Sequence, residues 1–276
     1  KFYPESLMRT SNDIDIYVSP ESIGEAKTVL EGMGLKYVKE NSGGEDFEFN
    51  QGISYVELHI SLGGITKRQK QFFEKMVSKS KATSDTELGL RLEDKYIYTV
   101  FHLYKHFITA GAGARMFLDV YCIGKAKGAD REYIESALDK LGILRFENTV
   151  SKINEVLFES KEASSEILEL LEYIFENGAY GTSAAAKHLK YASGKAVKQP
   201  SAKHIISDLC LDKESMKKRY AVLQRCMVLY PFCVIHRVAK GAIFRRKTLA
   251  KAVDSAKDIV LNRERYSRIL KISGIL

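Results

Sequence analysis

Two aspartates one residue apart, Asp13 and Asp15, lie in the run Arg9-Thr10-Ser11-Asn12-Asp13-Ile14-Asp15-Ile16-Tyr17-Val18. Side chains alternate faces along a strand, so a strand here sends Asp13, Asp15 and Tyr17 one way and Ile14, Ile16 and Val18 into a core. Carboxylates about 7 Å apart along a strand repel each other and call for a cation, a proton or basic neighbours. A magnesium ion that also meets phosphate oxygens answers that demand. Asp-x-Asp alone is common on exposed strands, so a third acid is needed. Ser54-Tyr55-Val56-Glu57-Leu58-His59-Ile60 supplies one. Its alternation puts Tyr55, Glu57 and His59 on one face and Val56, Leu58 and Ile60 on the other.

Elements must hold these residues in place. Residues 20–32 read as a helix, with Ser19 or Ser22 as its cap and Ile23, Ala26, Val29, Leu30 and Met33 at helical spacing. Residues 36–39 and 46–50 read as strands on either side of the turn-forming Asn41-Ser42-Gly43-Gly44. The order is strand, helix, strand, strand, strand. Beyond about Ser84 the pattern turns helical, with periodic apolar positions in residues 96–107, 133–141, 146–158 and 167–175. Phe, Tyr and Leu at this spacing read as core. Residues 178–201, rich in Gly, Ala, Lys and Ser, read as a mobile connection. The expected class is α/β (α+β): a small mixed, mostly antiparallel sheet with flanking helices in residues 1–90, then an all-helical domain in residues 91–276 ending in basic helices.

Tyr3-Pro4, Arg9, Asp13-Ile14-Asp15 and Val56-Glu57-Leu58-His59, taken in that order, resemble a known pattern. It is that of the poorly characterised bacterial branch of the nucleotidyltransferase superfamily, which shares the DNA polymerase beta-like catalytic fold. His102-Leu103-Tyr104-Lys105-His106 and Arg115-Met116-Phe117-Leu118-Asp119-Val120 look similar to that branch's helical segment, and Leu229-Tyr230-Pro231-Phe232 is a fainter echo. The resemblance spans roughly residues 3–125. It implies that Asp13 and Asp15 hold magnesium against a triphosphate, while Glu57 binds a second metal or helps deprotonate an acceptor hydroxyl. Aspartate is the commoner third acid in the superfamily, and glutamate reaches one methylene farther. The superfamily also places a glycine-containing turn before the Asp-x-Asp strand to cradle phosphates. This chain shows no such turn: either the sequence begins inside the natural protein or another group binds phosphate. Arg9, four residues before the acids, is the visible substitute, able to meet a phosphate or brace Asp13.

Several side chains admit two roles. His59 is a candidate nucleotide or metal contact, or a hydrogen-bonding residue within the sheet. His102 and His106 are four apart on one helical face, but no acid completes a His-Glu-x-x-His zinc pattern, which leaves packing or nucleotide contact. Arg115 and Asp119, also four apart, form an expected intrahelical salt bridge or serve the substrate directly. Arg9, His59, His106 and Arg115 are thus the candidates for nucleotide binding beside Asp13, Asp15 and Glu57.

A chain of 276 residues with 45% hydrophobic content has room for two packed domains. No apolar run approaches the roughly 20 residues needed to span a bilayer, residues 227–235 being interrupted by Pro231. Cys122, Cys210, Cys226 and Cys233 show neither metal spacing nor a disulfide framework, and a reducing cytoplasm fits them best. Residues 231–276 hold eleven Lys and Arg against three acids, which accounts for the whole net charge of +8; the remainder balances, 32 against 32. Arg237, Lys240, Arg245, Arg246, Lys247, Lys251, Lys257, Arg263, Arg265, Arg268 and Lys271 make residues 237–271 a candidate surface for a polyanion. Ile243, Phe244, Leu249 and Val253 beside them suggest contact peripheral to a membrane.

The expected reaction is magnesium-dependent transfer of a nucleoside monophosphate from a nucleoside triphosphate, ATP among them, with manganese as the alternative cation. The acceptor is left open among a small molecule, a sugar phosphate, an RNA end and a protein side chain, including the partner of a toxin–antitoxin pair. The alternative from another class is a non-catalytic protein of the same fold that uses its basic region for RNA or membrane association.

Overall fold

Alternating polar and apolar residues build the sheet. A computed structural model describes the chain apart from residues 1, 6–7, 10–12, 42–44, 53, 83–87, 179–180, 183–184, 186–187, 190–191, 193–215, 218–219 and 245; the side chains of residues 41, 54, 82, 88, 110, 224–225, 238–257 and 260 also lie outside the description. The chain begins with β1 (Asp13–Tyr17), α1 (Ile23–Gly32), β2 (Lys36–Asn41), β3 (Asp46–Gln51) and β4 (Ser54–His59). The strands lie in the order β1-β4-β3-β2. β1 runs parallel to β4, and the other two pairings are antiparallel, giving the mixed, mostly antiparallel sheet expected from the sequence. Parallel strands need a long crossover, here supplied by α1 and the β2–β3 hairpin.

The reverse face of the sheet carries the core. Phe47, Phe49, Val56 and Leu58 are buried there with Leu30 of α1 and Leu35, and Val18, Ile23, Ala26 and Ile60 pack around them. Ile14 and Ile16, expected to be buried, are instead 57% and 38% exposed. β1 is an edge strand, and the core is centred on β3 and β4, so the apolar face of β1 reaches its margin only at Val18. Val29 of α1 and Met33 just after it are exposed for a related reason: Ile23, Ala26 and Leu30 are the positions that meet the sheet.

One helix escaped the sequence reading. α2 (Lys67–Ser78) is opened by Thr66, whose hydroxyl accepts from the Gln69 backbone while the Gln69 side chain accepts from the Thr66 backbone, a reciprocal cap. Gln69 also donates to the Leu141 carbonyl, and Phe73 and Met76 are buried. Gly64, with φ of 154°, enters this helix so closely that a Cβ would lie 2.6 Å from the Lys70 nitrogen.

Two compact units follow from the chain's contacts. The first takes residues 1–105 and 114–162: the sheet, α2, most of α3 (Leu92–Ala110), α4 (Ala114–Gly124), α5 (Arg131–Leu141) and α6 (Leu144–Glu159). Within it the fully buried Glu147 carboxylate accepts from the Tyr96 hydroxyl at 2.6 Å and from Arg131 at 2.9 Å, so a charge out of water keeps both a counter-ion and a hydrogen bond. The second unit takes residues 106–113 and 163–276. It contains α7 (Ser165–Glu176), a single turn at Val222–Arg225, α8 (Tyr230–Phe244) and α9 (Arg246–Ile272). Arg265 and Arg268 of α9 pair with Glu176 and Glu169 of α7, both at 2.8 Å, so part of the basic region is already neutralised. The side chains of Lys240, Arg245, Arg246, Lys247, Lys251 and Lys257, with Ile243, Phe244, Leu249 and Val253, lie outside the described residues, as do Cys210 and much of residues 178–201. Among the described residues no helix is long and apolar enough to cross a membrane.

This arrangement separates two apolar residues on the same face. Leu58→Ala, at 2% exposure, is expected to cost about 2–5 kcal/mol, whereas Ile14→Ala at the edge stays within about 0.5 kcal/mol. Denaturant unfolding of the two variants checks this, and equal costs would show that the face of β1 is covered in solution.

Candidate active site

Strand register assembles the acids. Asp15 pairs with Glu57 and Tyr17 with His59 across β1 and β4, while Glu48 pairs with Glu57 and Asp46 with His59 across β3 and β4. Directly paired residues share a face, so Asp13, Asp15, Asp46, Glu48, Glu57 and His59 all collect on the face opposite the core. Asp15, Glu57 and His59 each bring one ligand atom to within 4.8 Å of the other two.

His59 occupies the middle of the group. Its Nε2 lies 2.8 Å from Asp15 Oδ1 and 3.7 Å from Glu57 Oε2, and its Nδ1 lies 2.8 Å from Asp46 Oδ1. Two carboxylates can each accept from the ring only if both nitrogens carry hydrogen, which makes the ring an imidazolium. Burial by itself would lower its pKa, but the hydrogen bonds and charges of Asp15 and Asp46 outweigh burial and raise it to about 9. Burial and then the charge of Asp15 push the Glu57 carboxyl above its usual range, with His59 working against both. The Tyr98 hydroxyl on α3 is driven to about 12 by burial and then by the charges of Asp15 and Asp46, which sets that side chain beside the cluster. Its ring packs edge-on to Phe73 and His102.

The donor set fits a divalent cation. Carboxylates that repel at close range, and that already need a proton on His59 to sit together, are groups a doubly charged ion serves better. Asp13 is half-buried on the same face, and its charge reaches Glu57.

Arg9 bonds to an acid outside the cluster. Arg9 donates from Nε to Asp119 Oδ1 at 3.0 Å and from Nη2 to Asp119 Oδ2 at 3.4 Å, and the Tyr3 hydroxyl donates to Asp119 Oδ1 at 2.7 Å. The guanidinium expected at a phosphate or at Asp13 thus donates to an acid of α4. Asp119, expected to pair along its own helix with Arg115, receives donors from more than a hundred residues away. Burial, then the bond to Asp119, raises the Tyr3 pKa. Arg115 is half-buried on α4, and His106 sits on the end of α3 that belongs to the second unit.

Asp46 and Tyr98 were not singled out in the sequence. The alternation Asp46, Glu48, Asn50 was visible, but only the β3–β4 register, closing at Gln51 and Ser54, sets Asp46 against His59. Tyr98 carries no local signal.

A sequence model of a family described as uncharacterised nucleotidyltransferase matches residues 1–158, more than half of the chain. Neither a curated protein nor a solved structure matches it.

The imidazolium at the centre of the cluster predicts a titration. In cation-free protein the His59 ring, ordinarily near 6.5, stays protonated until about pH 9. Because the folded value is raised, the stability it contributes is complete below about pH 6.5 and fades as pH rises through about 9. Histidine side-chain NMR measures this directly, and a midpoint below 7 would show that the bridge to Asp15 and Asp46 does not form.

Proposed function

The chain belongs to the uncharacterised nucleotidyltransferase family, and from that premise we propose that it transfers a nucleoside monophosphate from a nucleoside triphosphate to an acceptor hydroxyl or phosphate, dependent on magnesium or manganese. The observation that supports this most is the cluster of Asp15, Glu57 and His59 on two adjacent strands, with Asp13 on the same face. Divalent cations bound there supply positive charge to the triphosphate and to the reacting oxygens.

The chain's own residues divide the remaining work. Asp13 and Asp15 hold the cation that meets the triphosphate. Glu57, on the neighbouring strand, faces the acceptor side. Its raised pKa suits a group that takes the proton of the acceptor hydroxyl. The acceptor oxygen forms a bond to the α-phosphorus, and the bond from that phosphorus to the bridging oxygen of pyrophosphate breaks. In this reading residues 1–90 provide the chemistry. The basic residues of 237–271 attract an anionic acceptor or surface.

Calorimetric titration with each of the four ribonucleoside triphosphates, with and without cation, tests the reading in the wild type and in Asp13→Asn with Asp15→Asn. Binding is expected to need the cation and to vanish in the double variant. Label on the α-phosphate, and not on the γ-phosphate, is expected to reach the acceptor. Cation-independent binding that survives the double substitution and weakens with salt would instead identify a non-catalytic polyanion binder.

A further inference from the structure

We infer that His59 is itself a ligand of the cation, through Nε2, and that Asp46 is the residue that positions it. The place framed by Asp15, Glu57 and His59 then takes a first-row transition ion, Mn2+, in preference to Mg2+. This rests on the reading of Asp15 and Glu57 as cation ligands and deepens it.

The geometry is that of a histidine aimed from behind. Nε2 faces Asp15 at 2.8 Å and Glu57 at 3.7 Å, so one nitrogen and two carboxylates from three residues converge. The opposite nitrogen, Nδ1, lies 2.8 Å from Asp46 Oδ1, and both side chains are only 17% exposed. A carboxylate that accepts from one ring nitrogen fixes the tautomer and turns the other nitrogen's lone pair toward a metal. Strand register enforces this, because Asp46 is paired directly with His59. When the ion binds, Nε2 releases its proton to solvent and forms a bond to the metal, while Nδ1–H continues to donate to Asp46.

The donor set decides between ions. Mg2+ demands near-octahedral oxygen ligation and retains its waters, whereas imidazole suits first-row transition ions; Mn2+ accepts both donor types. Asp13 with Asp15 offers oxygen alone and remains suited to Mg2+ on the triphosphate. The two cation positions of the proposed reaction therefore differ in chemistry, and the nitrogen belongs to the one nearer Glu57.

Electron paramagnetic resonance of the full chain with Mn2+, without nucleotide, tests the assignment. Electron spin-echo modulation is expected to show nitrogen coupling that changes when histidine is labelled with 15N and disappears in His59→Gln. Asp46→Asn is expected to weaken Mn2+ binding by about 10–100-fold with little change for Mg2+, and Asp46→Glu to restore part of the loss. Melting curves identify any variant that fails to fold, in which case the wild-type spectrum and His59→Gln still decide. Bound Mn2+ without histidine coupling would overturn the inference and leave the carboxylate site standing. Unchanged Mn2+ affinity in folded Asp46→Asn would overturn the positioning role. Binding of neither ion would overturn the cation site itself.

Discussion

Carboxylates crowded onto one face of a small sheet have to be offset by positive charge, and in this protein His59 provides it. The ring bridges Asp15 on β1 and Asp46 on β3 from its own place on β4, so three strands are tied together on the polar face by one imidazolium. Lys39 adds a second offset by pairing with Glu48 at 3.2 Å. Without these partners Asp15, Glu57, Glu48 and Asp46 would face one another in a partly desolvated setting, where like charges are most costly. The same crowding that destabilises the sheet makes it receptive to a divalent ion. Structure and proposed chemistry draw on one electrostatic imbalance.

The opposite face compensates. Phe47, Phe49, Val56 and Leu58 are buried against α1, and burial of such side chains contributes about 1.5–3 kcal/mol each. A strand that is polar on one side and apolar on the other can therefore carry unfavourable charge because its other side is anchored. β1 is the exception. Its core face is largely exposed, and its hold on the sheet comes from its pairing with β4 and from the His59 bridge to Asp15.

Longer-range contacts fix the surroundings. The segment ahead of β1 is tied to α4 by Tyr3 and Arg9 converging on Asp119, and the helices of the first unit share the buried Glu147, held by Tyr96 and Arg131. Neither contact touches the acids. Each limits how far the elements flanking the site can shift, because a buried or bidentate ion pair loses its geometry abruptly when displaced.

Local pattern alone determined much of this protein. Alternation in residues 13–18 and 54–60 placed Asp13, Asp15, Glu57 and His59 on common faces, and 3.6-residue spacing located the long helices, because both signals arise from backbone geometry within a few residues. The capping pair Thr66 and Gln69 was equally local and was overlooked. Tertiary structure decided what no short window contains: that Ile14 and Ile16 lie at an edge, that Asp119 serves Tyr3 and Arg9, and that Asp46 stands behind His59. Such outcomes depend on strand order, register and which helix arrives from a hundred residues away. Periodicity tells a side chain which way to face, and only the folded chain supplies what it faces.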